Sequence, residues 1–232
     1  MRFVSSRLFG FVLLSLLLLI GGANRAAAQA PDSSHADSLA QTVPSGASDA
    51  DSTDKDAPYV PTSPHVVEQM LEVAGVSSDD VVYDLGSGDG RIPIAAAKTY
   101  GARGVGIEID SALVAKARAK AREAGVADKV RFRRGDLFNA NLDEATVVTL
   151  YLWPEVNIRL RPKLLRELDP GDRIVSHDFR MGTWTPEREV HAGQGNTGPE
   201  RVYLWTVPAE VPTDLTDISE EVDSFRVDEE NE

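Results

Sequence analysis

At 232 residues, 42% of them hydrophobic, the chain is long enough for one ordinary domain with a packed core and extensions at its ends. A net charge of −13 argues against a phosphate backbone as partner, since such binding needs clustered lysine and arginine. With no cysteine in the chain, disulfides, thiolate metal sites and a thiol nucleophile are excluded.

Residues 1–30 read as an export signal or N-terminal anchor. Arg2 and Arg7 precede an apolar run from Phe9 to Ile20, and Ala26–Ala28 offers a small-residue cleavage site. Cleavage is the first reading. An uncleaved anchor through residues 8–23, attaching the protein to a membrane, is the alternative. Either places the remainder outside the cytosol, in the periplasm or beyond. Residues 31–58 are rich in Ser, Ala, Asp and Thr and hold few large apolar side chains, so they read as a disordered linker.

The folded domain is expected over residues 59–208. Thr62 or Ser63 can cap a first helix that carries Pro64 in its first turn and presents Val66, Val67, Met70, Leu71 and Val73 on one face. Val81–Leu85 then reads as a strand that breaks into Gly86, Gly88 and Gly90 before a helix beginning near Arg91. A second strand covers 103–110, a helix capped by Ser111 runs to Ala124, and a third strand covers 130–134. A continuous apolar strand follows at 145–152, then a helix at 154–168 and a fifth strand at 172–179. A strand pair at 185–191 and 201–207 ends the domain. Residues 209–232 read as an acidic tail without regular structure. This alternation predicts an α/β fold, a three-layer Rossmann-like sheet that is mostly parallel with an antiparallel edge strand.

Ligands in such sheets bind beyond the carboxyl ends of the strands, where the strand order reverses. The strand, glycine turn and helix start at 81–91 form a nucleotide cradle. Its spacing is G-x-G-x-G, whereas a dinucleotide fold uses G-x-G-x-x-G, and Arg91 stands where the third glycine would be. Asp84 and Asp89 would repel a pyrophosphate. They would attract a ligand carrying positive charge, and S-adenosylmethionine, with an ammonium, a sulfonium and no phosphate, fits. Glu108 can accept hydrogen bonds from ribose hydroxyls, and Asp136 from an adenine amino group.

Asp84-Leu85-Gly86-Ser87-Gly88-Asp89-Gly90, Gly106-Ile107-Glu108 and Gly135-Asp136-Leu137 together resemble the seven-stranded class I SAM-dependent methyltransferases. The resemblance assigns S-adenosyl-L-methionine as cofactor, with Gly86, Gly88, Glu108 and Asp136 holding it and Asp84 and Leu137 beside them. Tyr59-Val60-Pro61-Thr62, Tyr151-Leu152-Trp153-Pro154-Glu155 and Trp184-Thr185-Pro186 are similar to small lysine methyltransferases. That group includes archaeal enzymes and the mitochondrial one acting on the ATP synthase c subunit. The likeness implies a protein lysine as acceptor, or alternatively a small molecule. It adds Tyr59 and Thr62 to the cofactor residues, while Thr62 as a plain helix cap is an equal reading.

Methyl transfer to an amine needs alignment and a deprotonated nitrogen more than a strong base. Tyr151 and Trp153 end the fourth strand, where they could wall a lysine channel. His177 reads first as a structural hydrogen-bonder and second as a proton relay. No spacing suggests a metal. An exported non-catalytic binding module is the rival reading, because the cofactor is made in the cytosol.

Overall fold

The structure is a computed structural model that describes residues 60–195 and 198–229. Residues 1–30 and 31–58, expected as leader and linker, and Tyr59 lie outside these residues.

Ser63 caps the first helix: its hydroxyl accepts from the Val66 amide, and Pro64 opens helix α1 (Pro64–Val73). Strand β1 (Val81–Leu85) leads through the glycine turn into α2 (Arg91–Ala95), which widens into a π-turn over Ala96–Tyr100 and stops at Gly101. Strand β2 (Arg103–Glu108), helix α3 (Ser111–Glu123) and strand β3 (Val130–Arg134) follow. Next come β4 (Val147–Leu150), α4 (Pro154–Glu167) and β5 (Arg173–His177), and finally β6 (Arg188–Gly195) and β7 (Gly198–Thr206). The cap of α3 is Asp110 rather than Ser111. Its carboxylate accepts from the Ala112 and Leu113 amides, a stronger acceptor at a helix start than a hydroxyl.

The seven strands form one sheet in the order β3-β2-β1-β4-β5-β7-β6. β1 to β5 are parallel, and the edge pair is antiparallel, β7 running against both β5 and β6. The chain moves outward from β1 to β3 and then returns to β4 on the other side of β1. The strand order therefore reverses between β1 and β4, and their carboxyl ends splay apart there. Alternate residues feed opposite faces. Val81, Tyr83 and Leu85 pack with Leu160 and Leu164 of α4, while Val82 packs with Val66, Met70 and Leu71 of α1 and Ile92 of α2.

The acidic tail departs from expectation. Residues Thr213–Leu215 form a 3-10 turn and Ser219–Glu229 a helix, α5. The reason is a buried cation. Arg161 of α4 is fully buried, and it donates to both Glu221 carboxylate oxygens, to the Leu215 carbonyl and to the Met181 carbonyl. A buried guanidinium needs that compensation, and Glu221 supplies the charge from sixty residues away. Burial alone would raise the Glu221 carboxyl, but Arg161 overrides it and holds it below its ordinary value. Glu220 and Glu221 also favour the positive end of the helix they begin. Among the described residues no helix is long and apolar enough to cross a membrane.

Candidate active site

Beyond the carboxyl ends of β1, β2 and β4 lies a cleft. It is lined by Thr62, Asp84, Gly86, Gly88, Glu108, Asp136, Leu137 and Tyr151, among others, which brings together every predicted cofactor residue that the structure describes. Trp153 is not among its lining residues.

The turn owes its shape to glycine at two positions in particular. Gly86 has φ +79 and Gly90 φ +77, a region that side chains oppose. A Cβ on Gly90 would also stand 2.5 Å from the Phe132 ring, so this glycine lets the start of α2 pack against β3. The Gly86 and Ser87 amides both donate to the Ile107 carbonyl, tying the turn to β2.

Glu108 is fixed before any ligand arrives. Its two oxygens accept from the Gly88 amide at 2.8 Å and the Asp110 amide at 2.9 Å, leaving further lone pairs for a diol. Asp136 caps its own short turn, accepting from the Phe138 amide and from the Asn139 side chain. Asp84 lies deeper. It is 3% exposed and accepts from Thr149 Oγ1 at 2.8 Å, its register partner on β4. Burial pushes its carboxyl up to about 7; the Thr149 hydrogen bond opposes this, and the Glu108 and Asp89 charges add to it.

Asp89 plays a different part from the one its sequence position suggests. Arg91 clasps it with two nitrogens, each at 2.9 Å, and Lys120 of α3 also donates to it. Burial alone would raise Asp89, but these two cations hold its carboxyl well below its ordinary range. Its charge is thus matched within the protein, and the negative potential of the cleft comes from Asp84, Glu108 and Asp136. Arg91 also donates to the Thr62 carbonyl, which pins the segment before α1 over the cleft. The site residues fit an adenosyl cation: carboxylates face the cleft, and the loop's own arginine is committed to Asp89 instead of being aimed at a phosphate.

At the end of β4 and β5 the surface becomes aromatic. Tyr151 stacks on His177 with ring centroids 3.9 Å apart and on Phe179 at 6.1 Å. Trp153 sits outside the cleft at the start of α4, 48% exposed, with its ring 5.6 Å from Phe179. Trp184 packs against Trp205 at the edge of the core. Asn157 and Arg161, one turn apart on α4, hold the loop after β5 through the Phe179, Arg180 and Met181 carbonyls.

For His177, expected first as a structural hydrogen-bonder, the described residues supply no such bond. The residue is 1% exposed, and among the described residues neither ring nitrogen has a hydrogen-bond partner. Nε2 lies 3.4 Å from Asp178 Oδ2 and 3.7 Å from Glu200 Oε1. Sequence reasoning passed over Glu200 altogether. It sits on β7, and only the reversal of that strand brings it to the carboxyl end of β5. Asp178 had one local signal, its place at a strand end.

Comparison with known proteins gives four relevant likenesses. Residues 84–188 match the family model described as the ANTKMT methyltransferase domain. A protein-lysine N-methyltransferase of Saccharolobus islandicus is 45% identical over 151 residues, covering 65% of this chain and 93% of that protein. The mouse adenine nucleotide translocase lysine N-methyltransferase is 36% identical, covering 67% of this chain and 66% of the mouse protein. A crystal structure described as an RNA methyltransferase from Salinibacter ruber in complex with S-adenosyl-L-homocysteine is 61% identical. It covers 68% of this chain and 100% of that chain, with a TM-score of 0.63.

Proposed function

Because the chain belongs to the methyltransferase family defined by the ANTKMT methyltransferase domain, with S-adenosyl-L-methionine as cofactor, we propose that it methylates protein lysine side chains. The cofactor supplies an activated methyl group. Glu108, Asp136, Asp84 and the glycine turn hold it, and Thr62, tied down by Arg91, closes over it. The observation that carries the lysine reading is the aromatic wall of Tyr151, Phe179 and Trp153 beside the cleft. Such a wall accepts a long aliphatic stem with a cationic head and strips its water, which favours the neutral amine. Burial raises the Tyr151 hydroxyl above its ordinary value, with Asp178 and Glu200 adding to it, so the ring stays a neutral phenol.

An RNA acceptor is the second reading. It is favoured by the name of the Salinibacter neighbour and by the exposed Arg131, Arg133 and Arg134 of β3 with Arg118 and Arg122 of α3. Those cations lie at the β3 edge, with β2 and β1 between them and the aromatic wall at β4. Residues 1–30 further lead us to propose export or membrane anchoring.

Purified protein incubated with methyl-labelled cofactor and an extract of its own source should place label in protein, on lysine by peptide mass spectrometry. Label confined to RNA or to small molecules would overturn the lysine reading. Cell fractionation with and without residues 1–30 tests the placement: the leader-bearing form should leave the cytosolic fraction, and a shared cytosolic location would end that proposal.

A further inference from the structure

His177 ends β5 fully enclosed, without a hydrogen-bond partner for either ring nitrogen among the described residues. Leaving a buried polar atom unpaired is costly, so such groups persist where something else binds them. Its surroundings say what that is. Asp178 Oδ2 and Glu200 Oε1 stand 3.4 and 3.7 Å from Nε2, and both carboxylates keep part of their surface open, 23% and 20%. The Tyr151 ring covers the imidazole and also lines the cofactor cleft.

The backbone is shaped to hold this group of side chains. Asp178 has φ +58, and the Phe179 amide donates to the His177 carbonyl across it at 2.7 Å. That is the γ-turn of positive φ, the rarer and more strained form. Strain of this kind persists only where the surroundings over-determine it, and it concentrates at working sites. Here Asp178 donates its amide to the Arg201 carbonyl and accepts from the Arg201 amide through Oδ1, which locks β5 to β7 and sets Glu200 beside the imidazole. Oδ2 is left facing His177. The nearby cations are engaged elsewhere, Arg180 and Arg201 each pairing with Glu189.

We propose that Asp178, Glu200 and His177 form a subsite for the primary ammonium of the acceptor, and that His177 takes its proton. The proposal rests on the lysine reading above and names the groups that would recognise the amine. The two carboxylates attract the cation past the Tyr151 ring. An N–H bond of the ammonium breaks and its electron pair remains on nitrogen as the nucleophilic lone pair. The proton forms a new bond to imidazole Nε2; that N–H bond then breaks as the proton passes to a partly exposed Asp178 or Glu200 carboxylate and on to water, returning the imidazole to its neutral form. Burial lowers the His177 pKa, with Asp178 opposing it, which keeps the imidazole neutral and able to accept. Asp178 in the turn after β5, Glu200 on β7 and Tyr151 after β4 are the titratable groups facing it.

The test uses full-length protein labelled with 15N in its histidine rings and saturated with S-adenosylhomocysteine, titrated with n-butylammonium. His177→Asn assigns the resonance. The His177 ring nitrogens should shift saturably, and the D178N/E200Q double variant should need at least tenfold more amine. n-Butyltrimethylammonium, which has no proton to give, should leave the ring in its starting state. S-adenosylhomocysteine affinity within twofold of the parent certifies the fold of the variant. If the double variant loses that affinity, the single variants serve, each expected to weaken the amine at least threefold. A ring that does not respond, responds equally in the variants, or responds equally to the quaternary ion overturns the subsite. Failure of the lysine reading looks different: the amine still binds here while the labelled methyl enters RNA or a small molecule.

Discussion

The two halves of the sheet hold their titratable groups in opposite ways, although the Ser87 hydroxyl of the glycine turn, like His177, is buried without a hydrogen-bond partner among the described residues. Around β1 to β3 the carboxylates have partners in the protein itself: Glu108 has two amides, Asp136 an amide and an amide side chain, and Asp89 an arginine and a lysine. Around β4, β5 and β7, His177 has none and Asn157 Oδ1 has none among the described residues. The cofactor half is organised before its ligand arrives, as a site that must hold one rigid shape requires. The half proposed to take the acceptor combines aromatic faces with the unpaired His177, an arrangement on which an incoming amine would complete the hydrogen bonding.

Substitutions can break this contrast. On the organised half, stability and cofactor affinity should fall together. Gly90→Ala forces a Cβ into the Phe132 ring at a left-handed φ and should cost about 3 kcal/mol in denaturant unfolding. Unchanged stability would mean that the turn is looser than its geometry. Glu108→Ala removes the acceptor of two amides and the proposed acceptor of the ribose hydroxyls. It should weaken the cofactor on the order of 50-fold by calorimetry, about 2.3 kcal/mol, while the protein stays folded.

Asp84 sharpens the comparison through pH. Its folded pKa, about 7, lies above the unfolded carboxylate value, so the unliganded protein loses stability as pH rises from about 4 to about 7. A bound cation prefers the charged form, so cofactor affinity should change in the opposite direction and rise roughly tenfold between pH 6 and pH 8. Asp84→Asn should flatten both profiles; an unaltered affinity profile would remove Asp84 from cofactor recognition. The smallest effect belongs to the acceptor half. Trp153→Ala should leave stability within about 1 kcal/mol and cofactor affinity unchanged, and raise the acceptor KM about threefold. A matching loss of cofactor affinity would erase the distinction between the halves.

The cofactor half was legible in the chain because its determinants are local. A strand, glycines at alternate positions, a helix start and a carboxylate at each strand end are set by backbone sterics over a few residues, and their order predicts a parallel sheet. Even there, the partner of Asp89 was hidden, because Lys120 comes from a helix one strand further on. The acidic tail misled for the same reason. Composition marks 209–232 as solvated, but Glu221 answers a guanidinium that folding has already buried in α4.

The sequence alone determined the α/β order, the glycine cradle and the three carboxylates proposed to face a cationic nucleoside, since each follows from spacing along one element. The tertiary structure decided which residues meet at the proposed acceptor side. Glu200 meets His177 only because β7 runs antiparallel to β5 and returns its first residues to the carboxyl end of the sheet. Arg161 and Asn157 shape the loop beside them only because α4 packs under it. Such meetings depend on strand direction and packing between distant segments, which no local pattern of residues encodes.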